Sequence, residues 1–245
     1  MISVDKIKGI ILDYGATIDT NGKHWGEVLW NAYQENQIPV SKASFRDAYV
    51  YGERYLATHP VIQAHYTFKD LLLAKTEIQI KWLIENNFLP DNDNSSAYSF
   101  AISNRCYNFV RSVLKNIYPV LEKLASQYPL VLVSNFYGNI EAVLKDFSID
   151  LFFIEIIESA VVKIRKPDPD IFSLGVKALQ LKPSEVVVVG DSYKKDIVPA
   201  QMIGCQTIWL KGEAWEPENS ENKADAVIYD FKELEIILLS SGKTL

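Results

Sequence analysis

Asp13 is the first residue placed to do chemistry, because an apolar run from Ile7 to Leu12 ends in its carboxylate and a small-residue turn, Gly15-Ala16-Thr17, follows. A carboxylate there can act as a nucleophile. Gly15 and Ala16 let the backbone approach a ligand such as phosphate, and Thr17 offers an anion both a hydroxyl and an amide. Three later places carry complementary groups: Ser134-Asn135, Lys166, and Asp191 with Asp196. An amine and a hydroxyl hold phosphate oxygens. Asp13, Asp191 and the backbone carbonyl of Gly15 are hard oxygen donors of the kind Mg²⁺ takes together with water and substrate phosphate. Asp196, five residues after Asp191, reads as a further ligand or as the partner that orients Lys166. Each piece alone also reads as something ordinary: a turn at Asp13, a helix cap at Ser134-Asn135, a solvated charge at Lys166, a turn at Asp191-Ser192. Together they make the inventory of a phosphoryl-transfer site, and four coincidences are far less expected than one.

For these groups to meet they must lie at the carboxyl ends of neighbouring strands, where open α/β sheets bind ligands. The run at 7–12 is short and rich in β-branched residues, which suits a central strand covered on both faces. From Pro119 onward strand-like stretches at 130–133, 152–157, 186–189, 206–210 and 226–229 alternate with helical ones at 119–126, 139–147, 171–179, 196–203 and 231–239. That rhythm argues for right-handed βαβ units and a parallel sheet. Between the first strand and this half, the pattern from Gly26 is helical for about 90 residues. Ser41 or Ser44 caps a helix carrying Phe45, Tyr49 and Tyr55, further helices follow at 71–84 and 98–117, and 90–96 is a polar break. The expectation is an α/β protein: a Rossmann-like parallel sheet flanked by helices, from residues 1–20 and 118–245, with an α-helical domain inserted at 21–117. Trp25, Trp30, Tyr49, Tyr51, Tyr55, Tyr66, Trp82 and Tyr98 are expected in the core of the helical insertion.

A net charge of −6 argues against a broad basic face for nucleic acid. Cys106 and Cys205 are too few and too far apart for a disulfide framework or a zinc site, so a reducing compartment is the simpler inference. With no cleavage pattern and no long apolar span at the start, no membrane partner is expected and the cytoplasm is the expected location. His24, His59 and His65 share neither a helical face nor a metal-ligand spacing.

Four segments in a fixed order carry a resemblance to a known family. They are Ile10-Ile11-Leu12-Asp13-Tyr14-Gly15-Ala16-Thr17, Val131-Leu132-Val133-Ser134-Asn135, Arg165-Lys166-Pro167-Asp168-Pro169-Asp170-Ile171-Phe172, and the stretch from Val186 through Gly190-Asp191-Ser192 to Asp196. The chain resembles the haloacid dehalogenase-like (HAD) hydrolase superfamily, and its helical insertion occupies the place of the family's C1-type cap. The resemblance implies a hydrolase that forms an aspartyl-phosphate on Asp13, assisted by Thr17, Ser134 and Lys166. It further implies Mg²⁺ held by Asp13, the Gly15 carbonyl, Asp191 and Asp196, and a small phosphorylated metabolite as substrate.

One departure bears on mechanism. Phosphatases of the family carry a second Asp two residues after the nucleophile, and here that position is Gly15. Losing a positioned general acid/base costs about 10²–10⁴-fold in rate, so protons must come from substrate, water or a neighbour such as Asp19. Two branches also lack that Asp. The 2-haloacid dehalogenases carry Tyr there and replace the metal carboxylate, which this chain retains as Asp191. The phosphonoacetaldehyde hydrolases carry a small residue there and use a cap lysine as a Schiff base; among Lys42, Lys69, Lys75 and Lys81 no local pattern singles one out. A non-catalytic member that binds a phosphorylated ligand or a protein is a further alternative. His24, Trp25, Arg46 and Arg54 are candidates for substrate contact, with the bundle surface the expected home of the two arginines.

Overall fold

Four consecutive valines, Val186 to Val189, have no polar face to offer water, so the strand they form must be covered on both sides. A computed structural model describes residues 2–91, 94–212 and 223–239, and there this strand is buried along its whole length. The first part of the chain forms β1 (Gly9–Leu12), α1 (Trp25–Glu35), α2 (Lys42–Thr58), α3 (Phe68–Glu85), α4 (Ser95–Gln127), β2 (Leu130–Ser134) and α5 (Ile140–Asp146). The second part forms β3 (Phe153–Glu158), α6 (Ser159–Val162), α7 (Asp170–Leu179), β4 (Val186–Gly190), α8 (Val198–Met202), β5 (Gln206–Leu210) and β6 (Ala226–Ile228).

All six strands join one parallel sheet in the order β3-β2-β1-β4-β5-β6. The chain leaves β1 toward β2 and β3, then returns to β4 on the other side of β1. The strand order therefore reverses between β1 and β4, and such a reversal opens a crevice at the carboxyl ends. Leu12 is level with Leu132 on one side and Val189 on the other, so Asp13 emerges level with Val133 and Gly190, one residue before Ser134 and Asp191. Helix α7 lays Ile171, Phe172, Val176 and Leu179 against Ile11, Val131, Val133 and Val188 of the sheet.

The chain divides into two compact units: Met1–His24, Ser112–Phe136 and Phe147–Leu245 form one, and Trp25–Arg111 with Tyr137–Asp146 the other. The first contains the sheet. The second is helical. In it Ser41 caps α2, its hydroxyl accepting the Ser44 N–H at 3.1 Å, and Thr67 with Asp70 makes a capping box that starts α3 at Phe68, earlier than Leu71.

Four sequence expectations need correction. Helix α4 runs through Pro119 as one element of 33 residues, where a new helix was expected to begin. The proline gives up one backbone hydrogen bond, and the continued stripe of Ile117, Val120, Leu121 and Leu124, all buried, offsets it. The helix expected at 196–203 is a π-turn at Tyr193–Ile197 followed by α8, and that at 231–239 is reduced to a π-turn at Glu235–Leu239. Of the eight aromatics expected in the helical core, seven are half-buried and Tyr51 is exposed. The interior is built instead from Leu29, Tyr33, Phe45, Leu71, Leu72, Leu83, Ile102 and Cys106. The amphipathic rings stack at the rim, Tyr51 on Tyr55 and Trp82 on Phe88, where a polar edge stays wet. Part of the polar break at 90–96 lies outside the described residues. Among those described, no helix is long and apolar enough to cross a membrane.

Candidate active site

The ladder between β1 and β4 continues one step past the strand, with the Asp13 N–H donating to the Val189 carbonyl at 3.0 Å. This fixes where the Asp13 side chain leaves the sheet. Its Oδ1 accepts the Lys166 ammonium at 2.6 Å and its Oδ2 accepts the Thr17 hydroxyl at 3.0 Å. The same Thr17 oxygen accepts the Asp191 N–H at 3.0 Å and lies 3.4 Å from Asp191 Oδ1. A hydroxyl has one proton to give, and the shorter contact assigns it to Asp13. Thr17 thus couples the end of β1 to the loop after β4.

Lys166 is buried and also donates to Asp196 Oδ1 at 2.7 Å, while Asp196 Oδ2 accepts the Ser192 N–H at 3.0 Å. Asp196 comes this close because Gly190 has no side chain: a Cβ there would lie 2.5 Å from the Asp196 Cβ and Cγ. Asn135, expected to face an anion, spends its side-chain amide on the main chain of Lys166, donating to the carbonyl at 3.1 Å and accepting the N–H at 3.0 Å. Ser134 is buried at the end of β2.

In the turn, Ala16 is left-handed (φ 63°), a conformation glycine adopts more readily. Its N–H donates to Asp19 Oδ1 at 2.6 Å and its carbonyl accepts the Gly22 N–H at 2.7 Å. Buried Asp19 is therefore a clamp on the turn. At Gly15 an added Cβ would meet nothing within 4 Å.

Asp13, Asp191 and Asp196 each present a carboxylate oxygen, and the three lie within 4.8 Å of one another. Burial pushes Asp13 up to about 6, with Lys166 pulling it down and Asp196 pushing it further up. Burial raises Asp191 well above the ordinary range, and Asp13 and Asp196 add to it. Burial works against the charge on Lys166, but the two carboxylates it touches outweigh burial and its net shift is upward. One ammonium facing the buried Asp13 and Asp196 and the half-buried Asp191 leaves an excess of acids over cations. A small divalent cation would relieve it, and an all-oxygen donor set suits Mg²⁺.

Of the residues singled out in the sequence, Asp13, Thr17, Lys166, Asp191 and Asp196 form this cluster directly, and Asn135 joins through Lys166. Arg46 and Arg54 are exposed on the helical unit, Trp25 is half-buried at its start, and His24 is half-buried in the sheet unit. The clamping roles of Asn135 and Asp19 had no local signal.

The sequence pattern of the haloacid dehalogenase-like hydrolase family matches residues 7–204. The chain belongs to that family. Its helical unit is inserted after β1, where the family carries its cap. Glyceraldehyde 3-phosphate phosphatase from Pyrococcus furiosus is 35% identical over 88 residues, covering 35% of this chain and 37% of the relative. Phosphoserine phosphatase from Thermus thermophilus is 32% identical over 82 residues, 34% of this chain and 32% of the relative. The chain thus spans well under half the length of these two curated relatives. Among solved structures, the HAD-hydrolase YfnB from Bacillus subtilis bound to magnesium has a TM-score of 0.57 at 17% identity over 95% of this chain and 98% of that one. A dehalogenase has a TM-score of 0.64 at 19% identity over 96% of this chain and 99% of that one. At these identities the likeness is one of fold.

Proposed function

We propose that this HAD hydrolase is a Mg²⁺-dependent phosphohydrolase that cleaves a small phosphorylated metabolite through an aspartyl-phosphate on Asp13. The observation that carries the reading is the Asp13 carboxylate itself, held by Lys166 at 2.6 Å and Thr17 at 3.0 Å beside the acids Asp191 and Asp196. Relatives named as glyceraldehyde 3-phosphate and phosphoserine phosphatases support the substrate class.

In this reading Asp13, the Gly15 carbonyl, Asp191 and Asp196 hold Mg²⁺, which when bound neutralises phosphate charge. An Asp13 oxygen attacks phosphorus and the bond to the ester oxygen breaks. Lys166, Ser134, and the amides of Gly15 and Asn135 hold the phosphate oxygens as charge builds, while the Ala16 amide, expected to join them, is taken by Asp19. Thr17 keeps Asp13 in its attacking orientation. Water then cleaves the acyl phosphate, releasing inorganic phosphate and restoring the carboxylate. With Gly15 at the place of the usual acid and Asp19 engaged on the turn, the leaving oxygen takes its proton from water or from the substrate, and turnover is slow.

The Schiff-base alternative is disfavoured by the lysines themselves. Lys42, Lys69 and Lys81 are exposed, and Lys75 is buried against Glu53 at 2.7 Å with its ammonium form favoured, so it has no lone pair to add to a carbonyl. The test is phosphate release from a panel of small phosphate monoesters, with and without Mg²⁺, for the unsubstituted chain and Asp13→Asn. Release that needs both Mg²⁺ and Asp13 is expected. Equal rates from the two proteins would sink the proposal, and silence from both would favour a non-catalytic, ligand-binding member.

A further inference from the structure

Asp191 sits between two acids that repel it, yet the structure keeps its carboxylate turned toward them. Something must hold the loop against that repulsion. Trp209, level with Gly190 on the neighbouring strand β5, is almost fully buried, and its indole N–H donates to the main-chain carbonyl of Asp191 at 2.7 Å. The peptide between Asp191 and Ser192 is thereby held at both ends: its carbonyl by Trp209, its N–H by Asp196 Oδ2 at 3.0 Å. The preceding peptide is held too, through the Asp191 N–H on Thr17 Oγ1 at 3.0 Å. Because each peptide is a rigid plane, pinning both planes that flank a residue removes its φ and ψ freedom. The indole is itself locked, with the Tyr193 ring 5.3 Å away, Ile197 packed beside it and the Lys211 ammonium 5.2 Å from its ring centre.

We propose that Trp209 is a positioning residue for the cation site, its indole N–H fixing the Asp191-Ser192 peptide so that the Asp191 carboxylate stays beside Asp13. This rests on the Mg²⁺ reading above. The hydrogen bond acts on the backbone rather than on the carboxylate, so it sets direction without competing for the oxygen that meets the metal. Outer residues that orient metal ligands typically change affinity by about 10–100-fold.

The experiment compares the unsubstituted chain with Trp209→Phe, which keeps a buried ring beside Tyr193 and removes the donor, and with Leu210→Ala, which loosens the fully buried next position of the same strand. Mg²⁺ affinity is measured by calorimetry, and amide exchange over 190–193 is followed in metal-free protein. Trp209→Phe is expected to weaken Mg²⁺ binding about ten-fold and speed exchange in that segment, while Leu210→Ala lowers Tm and leaves the Mg²⁺ Kd in place. Unchanged affinity in Trp209→Phe, or an equal loss in Leu210→Ala, overturns the inference and leaves the Mg²⁺ reading standing. No Mg²⁺ binding by the unsubstituted chain overturns both. If Trp209→Phe does not fold, the indole N–H resonance of the unsubstituted chain decides. It should exchange slowly and shift on Mg²⁺ addition, and a fast-exchanging, unresponsive signal overturns the inference.

Discussion

Two buried lysines stand among acids in different proportion. In the sheet unit Lys166 touches Asp13 and Asp196, with Asp191 beside them, so one ammonium faces three carboxylates. In the helical unit Lys75 meets one: its Nζ lies 2.7 Å from Glu53, whose other oxygen accepts the Tyr137 hydroxyl at 2.9 Å. The Tyr137 ring centre is 5.3 Å from that ammonium. Burial opposes the charge on both lysines and nearby acids more than restore it. The outcome differs because the balance differs. Around Lys75 the charges cancel pairwise, which suits a contact that fixes helix register. Around Lys166 two acids are left without a cation of their own, and Asp13 and Asp191 carry raised pKa values that a bound cation would pull down. Charge imbalance, rather than burial, separates the cluster proposed to hold Mg²⁺ from a pair whose charges cancel.

Lys166→Met and Lys75→Met break the comparison most directly. The first should lower phosphate release at least ~10³-fold by removing the cation that holds both nucleophile and phosphate, whereas the second should leave turnover per folded molecule essentially unchanged. Equal losses in the two would show that both lysines serve the reaction. Gly15→Asp comes next in size. Since a Cβ at that position meets nothing within 4 Å, the restored acid should raise turnover by about 10²-fold. No gain would mean the missing acid is not what limits the rate.

Smaller effects concern stability. Lys75→Met should cost about 2–3 kcal/mol in urea unfolding, less than a fully buried pair because Glu53 keeps some contact with water. Adding Glu53→Gln should recover part of that loss, and no recovery would contradict pairwise cancellation. Asp191→Asn should do the opposite in metal-free protein at pH 7.5, raising Tm by about 2–4 °C. The sign follows from linkage. The folded-state pKa of Asp191 is raised, so between the ordinary value of 3.8 and that raised value the unfolded chain gives up its proton while the folded chain keeps it. Stability from this group is therefore full below the ordinary value and lost as pH rises. The amide removes that loss, so its advantage should fade as pH is lowered toward 4, and a destabilised variant at pH 7.5 would contradict the imbalance.

Strand positions were legible because each is a short, β-branched run that no other element suits, as Val186 to Val189 shows. The loops at their ends were legible for the same reason: a carboxylate or hydroxyl directly after such a run has little choice of place. Pro119 misled because a local rule about proline was outweighed by an apolar stripe that continues on both sides of it. The aromatic residues of the helical unit misled because helical spacing reports a shared face but not how deep that face lies. Asn135 and Lys166, 31 residues apart, clamp each other without leaving a trace in either neighbourhood.

By itself the sequence determined which chemical groups end the strands and that the strands run parallel, since both follow from residues adjacent along the chain. Only the tertiary structure decided the charge balance, because Lys166 and Asp13 are 153 positions apart and meet at 2.6 Å. Desolvation and Coulomb energies depend on distance and burial in space, and chain order carries neither.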